Sequence, residues 1–332
     1  MTAISSAMRQ GLAALALGTT TLVPLAAAAQ EPYKFSIITQ TGVDNTFWQS
    51  IKRGMDDACA ALQVDCQLVF TQENGNLQMH VQNFETAAAQ GVDGIALVIV
   101  DDNLYDEPVA RAIAAGVPVV TLNVDDTEGG EGNARLAFVG QDLFQAGYEL
   151  MGGIYAMMDT SKPQHVLLGL ARPGESWAEA RIGGARLYLE EQKAANPDLQ
   201  LTWEVIDSNN DLSITGQRIC QYVQGNPNTT AYIDSGFWLA GAGECLRDLG
   251  VEPGQILMGG FDLVPILLDE MERGYIHLTV DQQPYLQGYL PILQLYLMKK
   301  YGLSAWDVNT GKSLIRPEDV ALVRQFVEMG VR

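Results

Sequence analysis

The sequence contains few of the side chains that ligate metals or act as nucleophiles. Its 332 residues include 3 histidines and 4 cysteines. No cysteine pair has the CxxC spacing of a zinc site, and His80, His165 and His277 stand far apart along the chain. No segment alternates oxygen ligands as a calcium-binding loop does. We therefore expect neither a metal ion nor another cofactor.

Basic residues are also few. The chain has 20 lysines and arginines against 40 aspartates and glutamates, for a formal net charge of -20. This excess argues against nucleic acid and anionic lipid as partners, because both repel an acidic surface. Beyond residue 29, no unbroken apolar run reaches the roughly 20 residues that a membrane-spanning helix needs. The sequence predicts a freely diffusing, soluble monomer.

Residues 1–29 have the pattern of a secretory signal peptide. Arg9 gives a positive start, Gly11 to Leu25 is largely apolar, and Ala27 to Ala29 is a small-residue cleavage site. Cleavage after Ala29 or Gln30 is expected, so the mature chain is an exported protein.

Export makes disulfides possible. Four cysteines allow three pairings, and the sequence alone does not choose among them. The predicted elements favour Cys59–Cys66, from a late helical position to the start of the next strand. They also favour Cys220–Cys245, on helices either side of one strand.

Strand-like apolar segments alternate with helical segments in two successive series. Strands rich in Val, Ile and Leu are typical of parallel sheets covered by helices on both faces. We predict an α/β fold of two Rossmann-like lobes, joined by three crossings near Gly140, Gln282 and Thr310. The N-terminal lobe would hold residues 30–139 plus 283–310, and the C-terminal lobe residues 140–282 plus 311–332.

The segment Asp44-Asn-Thr-Phe-Trp48 follows the first predicted strand, at the end where open α/β sheets bind ligands. It joins two polar side chains to two aromatic rings, and a carbohydrate needs both kinds of group. Neighbouring residues on a helix point in different directions, so only one of Phe47 and Trp48 is expected in the core. The alternative is that Asp44 or Asn45 merely caps the helix.

Polar and aromatic residues recur after other predicted strands in both halves of the chain. Singly, several of them are equally good helix caps. Their recurrence on one edge predicts a cleft between the lobes that binds a small polyhydroxy ligand. Besides Asp44, Asn45, Phe47 and Trp48, the candidates are Asn123, Asp125, Gln141, Arg172, Trp177, Glu179, Ser235, Trp238, Asp262 and Gln282.

Two segments resemble enzyme motifs, but each lacks a residue that its motif requires. Gly169 to Ser176 has phosphate-loop spacing, but Glu175 stands where the lysine is needed and would repel phosphate. Gly174 to Ala178 lacks the last glycine of a nucleophile elbow. No pair of acids is singled out for glycoside hydrolysis. We expect no enzymatic activity; a secreted hydrolase would require turnover that is lost on changing Asp262 or Glu179.

The chain resembles the type I periplasmic solute-binding proteins of ABC transporters, in the ribose/galactose (simple-sugar) class. The resemblance extends from about Tyr33 to Val331. It rests on these segments: Asp44-Asn-Thr-Phe-Trp48, Gly91-Val-Asp-Gly-Ile95, Gly116-Val-Pro-Val-Val120, Arg181-Ile-Gly-Gly184, Gly259-Gly-Phe-Asp262 and Asp281-Gln-Gln-Pro-Tyr-Leu-Gln-Gly-Tyr289.

The resemblance implies two lobes that close on a sugar in the periplasm and then dock to a membrane permease driven by an ATPase. It implies that Asn45 and Asp262 bond sugar hydroxyls, that Phe47 and Trp48 flank the ring, and that Gln282 is a hinge-side contact. It also places Asn123 where many relatives have an aspartate.

Two positions depart from the ribose-type pattern. Glu179 stands where an arginine commonly clamps the sugar, and Ser235 where an asparagine or aspartate is usual. Arg172 or Arg181 is a candidate for the missing donor, although Arg181 would equally serve the fold. These departures leave room for another pentose, a hexose, a furanose or a sugar alcohol.

The expected function is therefore the periplasmic substrate-binding component of an ABC importer for a monosaccharide or sugar alcohol. The alternative is a periplasmic sensor that presents its ligand to a chemoreceptor or histidine kinase, since the same fold serves both roles. A cytoplasmic repressor is disfavoured by the signal peptide and by the lack of a basic DNA-binding segment.

Overall fold

A computed structural model of the protein describes residues 31–45, 47–311 and 313–332. The predicted signal peptide, residues 1–29, lies outside the described residues. The first part of the described chain alternates strands and helices. Its elements are β1 (Lys34–Ile38), α1 (Phe47–Leu62), β2 (Asp65–Val69), α2 (Leu77–Ala89), β3 (Gly94–Leu97), α3 (Asp106–Ala114), β4 (Val119–Asn123) and β5 (Phe138–Gly140).

The alternation continues in a second series and ends in a mixed segment. The second series is α4 (Leu143–Tyr155), β6 (Gln164–Leu170), α5 (Ser176–Ala195), β7 (Leu201–Asp207), α6 (Leu212–Gly225), β8 (Ala231–Asp234), a 3₁₀ turn (Trp238–Ala242), α7 (Gly243–Asp248), β9 (Leu257–Phe261), α8 (Pro265–Glu272) and β10 (Leu278–Asp281). The last elements are α9 (Pro284–Tyr301), β11 (Val308–Asn309), β12 (Ser313–Ile315), a 3₁₀ turn (Pro317–Asp319) and α10 (Val320–Glu328).

The strands form two six-stranded sheets of matching topology. Their orders are β11-β5-β4-β3-β1-β2 and β12-β10-β9-β8-β6-β7. All neighbours are parallel except β10 and β12, which are antiparallel. We call each sheet with its packed helices a lobe, N-terminal for the first and C-terminal for the second. The predicted α/β class, with two parallel sheets flanked by helices, is confirmed.

Each sheet is buried on both faces. In β1, Ile37 packs in one apolar cluster and Ile38 in the cluster on the opposite face, as the two-residue repeat of a strand requires. The C-terminal lobe has the same arrangement, with separate clusters around Leu167 and Leu168. Burial on both faces explains why the strands read as continuous apolar runs.

The chain passes between the sheets at residues 140–143, 281–284 and 309–313. Two of these passages lead into helices that pack in the lobe that the chain has just entered. Helix α4 packs against α5 in the C-terminal lobe, and α9 packs against α1 in the N-terminal lobe. Glycines allow both helix pairs to touch through their backbones. A Cβ at Gly184 would lie 2.0 Å from the carbonyl oxygen of Phe144, and one at Gly288 would lie 1.9 Å from that of Ile51.

The structure contains the disulfides Cys59–Cys66 and Cys220–Cys245. Their Cα atoms are 6.2 and 6.3 Å apart, within the ordinary range for a disulfide. The first connects α1 to β2, and the second connects α6 to α7. Among the described helices, none is both long enough and apolar enough to cross a membrane.

The close helix contact generates a stability prediction. Gly184→Ala should lower the free energy of unfolding by about 1–3 kcal/mol, because its methyl group would overlap the backbone of α4. Gly183→Ala is the matched control in the same helix, since its Cβ would meet only the Phe144 ring at 3.5 Å. It should be neutral, or stabilising by up to about 1 kcal/mol. Urea unfolding of both variants tests this, and equal losses would contradict it.

Candidate functional site

A cavity of about 400 Å³ lies between the lobes, at the carboxyl ends of strands from both sheets. This volume falls in the range of small-molecule sites. Most of the lining residues close a strand or follow one in the chain. They are Gln40, Thr41, Asp44, Asn45, Phe47, Trp48, Asn74, Gly75, Asn123, Val124, Leu143, Arg172, Glu175, Trp177, Arg181, Asn210, Asp211, Leu212, Phe237, Trp238, Asp262 and Gln282.

Ten of the predicted site residues line this cavity. Asp44, Asn45, Phe47, Trp48 and Asn123 come from the N-terminal lobe, whereas Arg172, Trp177, Trp238, Asp262 and Gln282 come from the C-terminal lobe or the passage after it. The structure does not bring the other four, Asp125, Gln141, Glu179 and Ser235, to the cavity. Each is held elsewhere by a partner that the sequence did not reveal.

Asp125 is turned away from the cavity by an ion pair. Its Oδ2 lies 2.6 Å from Nη2 of Arg135, and Thr121 donates a hydrogen bond to its Oδ1 at 2.6 Å. Burial raises the pKa of Asp125, and these two partners oppose that shift. The carboxylate therefore fixes the loop after β4.

Glu179 also serves the local structure, since its Oε1 accepts a hydrogen bond from the Gly174 amide at 2.9 Å. This contact closes the loop that precedes α5. Ser235 acts similarly, because its Oγ accepts from the Ala171 amide at 2.9 Å. Neither residue is among those that line the cavity.

Gln141 is buried and supports Arg181. Its Oε1 accepts hydrogen bonds from Nε and Nη2 of Arg181, at 3.2 and 2.8 Å. The Ser235 carbonyl accepts from Nη1 at 2.8 Å, and the guanidinium stacks 4.0 Å over the Phe261 ring. Gln141 and Ser235, both predicted as ligand contacts, thus position an arginine that lines the cavity.

Arg181 is a buried cation, 4% exposed, that has neutral hydrogen-bond acceptors. Within the described residues, it forms no ion pair with a carboxylate. Burial lowers its pKa to about 10, against the opposing influence of Asp262 and Asp234, so the side chain stays charged at neutral pH. A buried cation of this kind is a strong donor for a ligand oxygen.

The Gln282 amide joins the two lobes at the hinge side of the cavity. Its Nε2 donates to Oδ1 of Asp262 at 2.5 Å, and its Oε1 accepts from Nδ2 of Asn123 at 3.3 Å. Asn123 ends β4 and Asp262 follows β9, and these strands hold equivalent places in the two sheets. Both residues have left-handed backbone conformations, with φ of 64° and 73°.

Gln282 is itself held by the helix that follows it and by the passage at residues 309–313. The buried Gln287 donates to the Gln282 carbonyl at 2.9 Å, and Thr310 Oγ1 donates to the same oxygen at 2.8 Å. The Thr310 amide in turn donates to the Gly140 carbonyl at 2.8 Å. All three passages therefore meet in one hydrogen-bonded cluster beside the cavity.

Aromatic rings form two walls of the cavity. On the N-terminal lobe, Phe47 and Trp48 meet edge to face with centroids 6.0 Å apart. Trp48 is only 2% exposed and packs in the core, whereas Phe47 is partly exposed. On the C-terminal lobe, Trp238 stacks on Phe237 at 4.5 Å and lies 6.2 Å from Trp177.

Asn45 also has the capping role considered from the sequence. Its Oδ1 accepts a hydrogen bond from the Phe47 amide at 3.2 Å, at the start of α1. The capping residue therefore also forms part of the cavity lining.

Several lining residues were not among the candidates. They are Gln40, Thr41, Asn74, Gly75, Val124, Leu143, Glu175, Asn210, Asp211, Leu212 and Phe237. Arg181, which the sequence offered as an alternative donor to Arg172, also lines the cavity. The rule that ligands bind at the carboxyl ends of strands would also have identified Asn74 and Asn210, because they follow β2 and β7 as Asp44 follows β1. From the sequence, Glu175 was considered only as the residue that stands in place of the lysine of a phosphate loop.

Within residues 31–45, 47–311 and 313–332, no three His, Cys, Asp or Glu side chains converge as metal ligands. The most buried histidine, His80, instead bonds the Tyr105 hydroxyl at 2.5 Å and the Ile38 carbonyl at 3.3 Å. Burial lowers its pKa to about 4, so it is neutral in the folded protein at neutral pH.

Comparisons with known proteins match this architecture. A family model for the periplasmic binding protein domain matches residues 35–302. The xylose/arabinose-binding protein XylF of Sulfolobus acidocaldarius is 30% identical over 291 residues, which cover 83% of this chain and 69% of that protein. The D-allose-binding periplasmic protein of Escherichia coli K12 is 25% identical over 276 residues, covering 80% and 85%.

A solved structure gives the same result. The periplasmic sugar-binding protein of an ABC sugar transporter from Legionella pneumophila superposes with a TM-score of 0.75 at 26% identity. The match covers 84% of this chain and 100% of that one.

The support of Arg181 generates a second prediction. Arg181→Lys should lower the free energy of unfolding by about 2–3 kcal/mol, because an ammonium group cannot span both acceptors and stack on Phe261. Arg186→Lys, in the same helix with an exposed side chain, should change it by less than about 0.5 kcal/mol. Urea unfolding of both variants measures the difference, and a loss as small as the control's would contradict the assigned role.

Proposed function

This chain belongs to the periplasmic binding protein family, and we propose that it is the substrate-binding component of an ABC importer for a neutral monosaccharide or sugar alcohol. The resemblance noted in the sequence is confirmed by the family match. The family consists of non-catalytic solute-binding proteins, which confirms the expected lack of enzymatic activity. The observation that carries the proposal is the interlobe cavity, which combines aromatic walls with charged and amide groups.

The chemistry of the lining supports a polyhydroxy ligand. Asp262 offers carboxylate oxygens to hydroxyl donors, and Arg181 offers N–H groups to hydroxyl or ring oxygens. Phe47 and Trp238 present rings from opposite lobes, where they can cover the C–H faces of a sugar. Each of these groups lies on a different element, so a ligand that contacts all of them holds the lobes together.

The charges of the lining support a neutral ligand. The carboxylates Asp44, Glu175, Asp211 and Asp262 outnumber the two arginines, Arg172 and Arg181. A sugar acid or sugar phosphate would therefore be repelled by the excess negative charge in a partly desolvated site. The relatives named above for xylose, arabinose and allose suggest neutral pentoses and hexoses as the first ligands to test.

The mechanism that we propose is closure. Contacts from both lobes stabilise the arrangement in which the ligand is enclosed, and a ligand shifts the equilibrium by its differential affinity for that arrangement. The moving bodies would be residues 30–139 plus 283–310 and residues 140–282 plus 311–332. The closed monomer would then be recognised by a permease in the inner membrane.

Removal of one charge at the cavity tests the ligand class. The wild-type protein should be stabilised by about 2.7 kcal/mol at a hundredfold excess of its sugar over the dissociation constant. Asp262→Asn should weaken binding at least about tenfold, since hydrogen bonds to charged groups contribute about 1.5–3 kcal/mol. Asparagine tolerates the left-handed backbone at this position, so the fold is preserved.

Thermal-shift and calorimetric titration with D-xylose, L-arabinose, D-allose, myo-inositol, amino acids and nucleosides measures these effects. Asp248→Asn, an exposed carboxylate on α7, is the matched control and should leave binding unchanged. Shifts with amino acids or nucleosides alone would contradict the sugar assignment.

Export is the remaining part of the proposal. Expressed with residues 1–29 in a Gram-negative host, the protein should appear in the osmotic-shock fraction with its N-terminus at residue 30 or 31. N-terminal sequencing measures this, and recovery of the uncleaved chain from the cytoplasm would contradict it.

A further inference from the structure

A contact between the lobes lies at the rim of the cavity. Gly75, in the loop after β2, has a φ of +79°, and its amide donates to the Gln40 carbonyl at 2.8 Å. A Cβ built on Gly75 would lie 2.8 Å from Nη2 of Arg172, which belongs to the C-terminal lobe. The guanidinium therefore occupies the space that a side chain at position 75 would need.

Glu175 fixes the guanidinium in that place. Its Oε1 lies 2.9 Å from Nε and 2.7 Å from Nη2 of Arg172, and both side chains are about two-thirds buried or more. Its other oxygen, Oε2, accepts a hydrogen bond from Nε1 of Trp177 at 2.5 Å. One carboxylate thus orients two cavity-lining side chains at once.

Trp177 makes the second contact between the lobes. It follows β6 in the C-terminal lobe but packs against the apolar cluster of the N-terminal lobe that contains Trp48. Its ring also lies 6.2 Å from that of Trp238 and 5.9 Å from the Arg181 guanidinium. Trp177 therefore touches the opposite lobe and the groups placed to contact a ligand.

We propose that Glu175 is a positioning residue for ligand retention, which holds Arg172 and Trp177 against the N-terminal lobe, and that the Gly75–Arg172 contact is the latch. The inference rests on the proposed function, because it assumes that the cavity binds a sugar. The latch joins the two lobes at the rim of the cavity, so it stabilises the closed arrangement of the lobes more than the open one. It should therefore slow dissociation and leave association almost unchanged.

Two glycines allow this contact to be separated from backbone strain. Gly91 has a φ of +70°, and a Cβ added there would have no atom within 4 Å, whereas one added at Gly75 would meet Arg172. Gly75→Ala and Gly91→Ala should carry similar conformational costs, since both place a side chain in the left-handed region. Only Gly75→Ala displaces the guanidinium.

Stopped-flow tryptophan fluorescence with D-xylose, L-arabinose and D-allose measures both rate constants. We expect Gly75→Ala to raise the dissociation rate about tenfold, with association within about twofold of wild type. Gly91→Ala should match wild type in both. Equal behaviour of the two variants would overturn the proposal.

Glu175→Gln tests the positioning residue itself, because glutamine keeps the shape but loses the charge and one acceptor. Its dissociation rate should rise by a similar factor. The double variant with Gly75→Ala should show no further rise, because both changes release the same latch. If the two changes together raised the dissociation rate by the product of their separate factors, Glu175 and Gly75 would not act through the same contact.

Small-angle scattering of the ligand-free proteins provides a readout that needs no sugar. Because the latch favours the closed arrangement of the lobes, Gly75→Ala should have a larger radius of gyration than wild type and Gly91→Ala. If the wild type binds none of the sugars, the proposed function fails, but the comparison of the radii of gyration still tests whether the latch exists. If it binds one but both alanine variants agree in rates and radius, the latch is wrong and the function stands.

Discussion

The structure depends on one buried amide at the junction of its lobes. Gln282 accepts from Asn123 and donates to Asp262, residues that hold equivalent places in two sheets of the same topology. An unpaired amide in this position would lose its hydrogen bonds to water without replacement, at a cost of about 1–3 kcal/mol for each group. The need to satisfy Gln282 therefore ties the three interlobe passages to the floor of the ligand site.

The packing of the helices is also repeated in the two lobes. In each lobe, a helix that arrives from the other lobe packs backbone to backbone on the helix after the first strand, through Gly184 in one case and Gly288 in the other. The passages are thereby anchored at both ends, by glycine contacts on the helices and by amides at the strand ends. The short segments between these anchors are suited to act as a hinge.

The cavity is lined by charged groups that are costly to bury alone. Arg181 is retained as a buried cation because Gln141 and the Ser235 carbonyl satisfy it while leaving it without a carboxylate partner in the described residues. The carboxylates of Asp262 and Asp234 compensate its charge at longer range. At the rim, Glu175 satisfies Arg172 and Trp177 together, so that neither charge of the Arg172–Glu175 pair lacks a partner.

The α/β alternation and the edge on which the cavity lies could be predicted from the amino-acid sequence, as could several residues that line the cavity, among them Asn45, Trp48 and Asp262. Hydrophobic periodicity and the rule that ligands bind at strand ends are local properties, and they need no knowledge of distant contacts. The partner that each polar side chain takes became known from the folded molecule alone. Gln141 supports Arg181, Asp125 pairs with Arg135, and Asn123 meets Gln282 across 159 residues, because each choice depends on which distant group folding brings within hydrogen-bond distance.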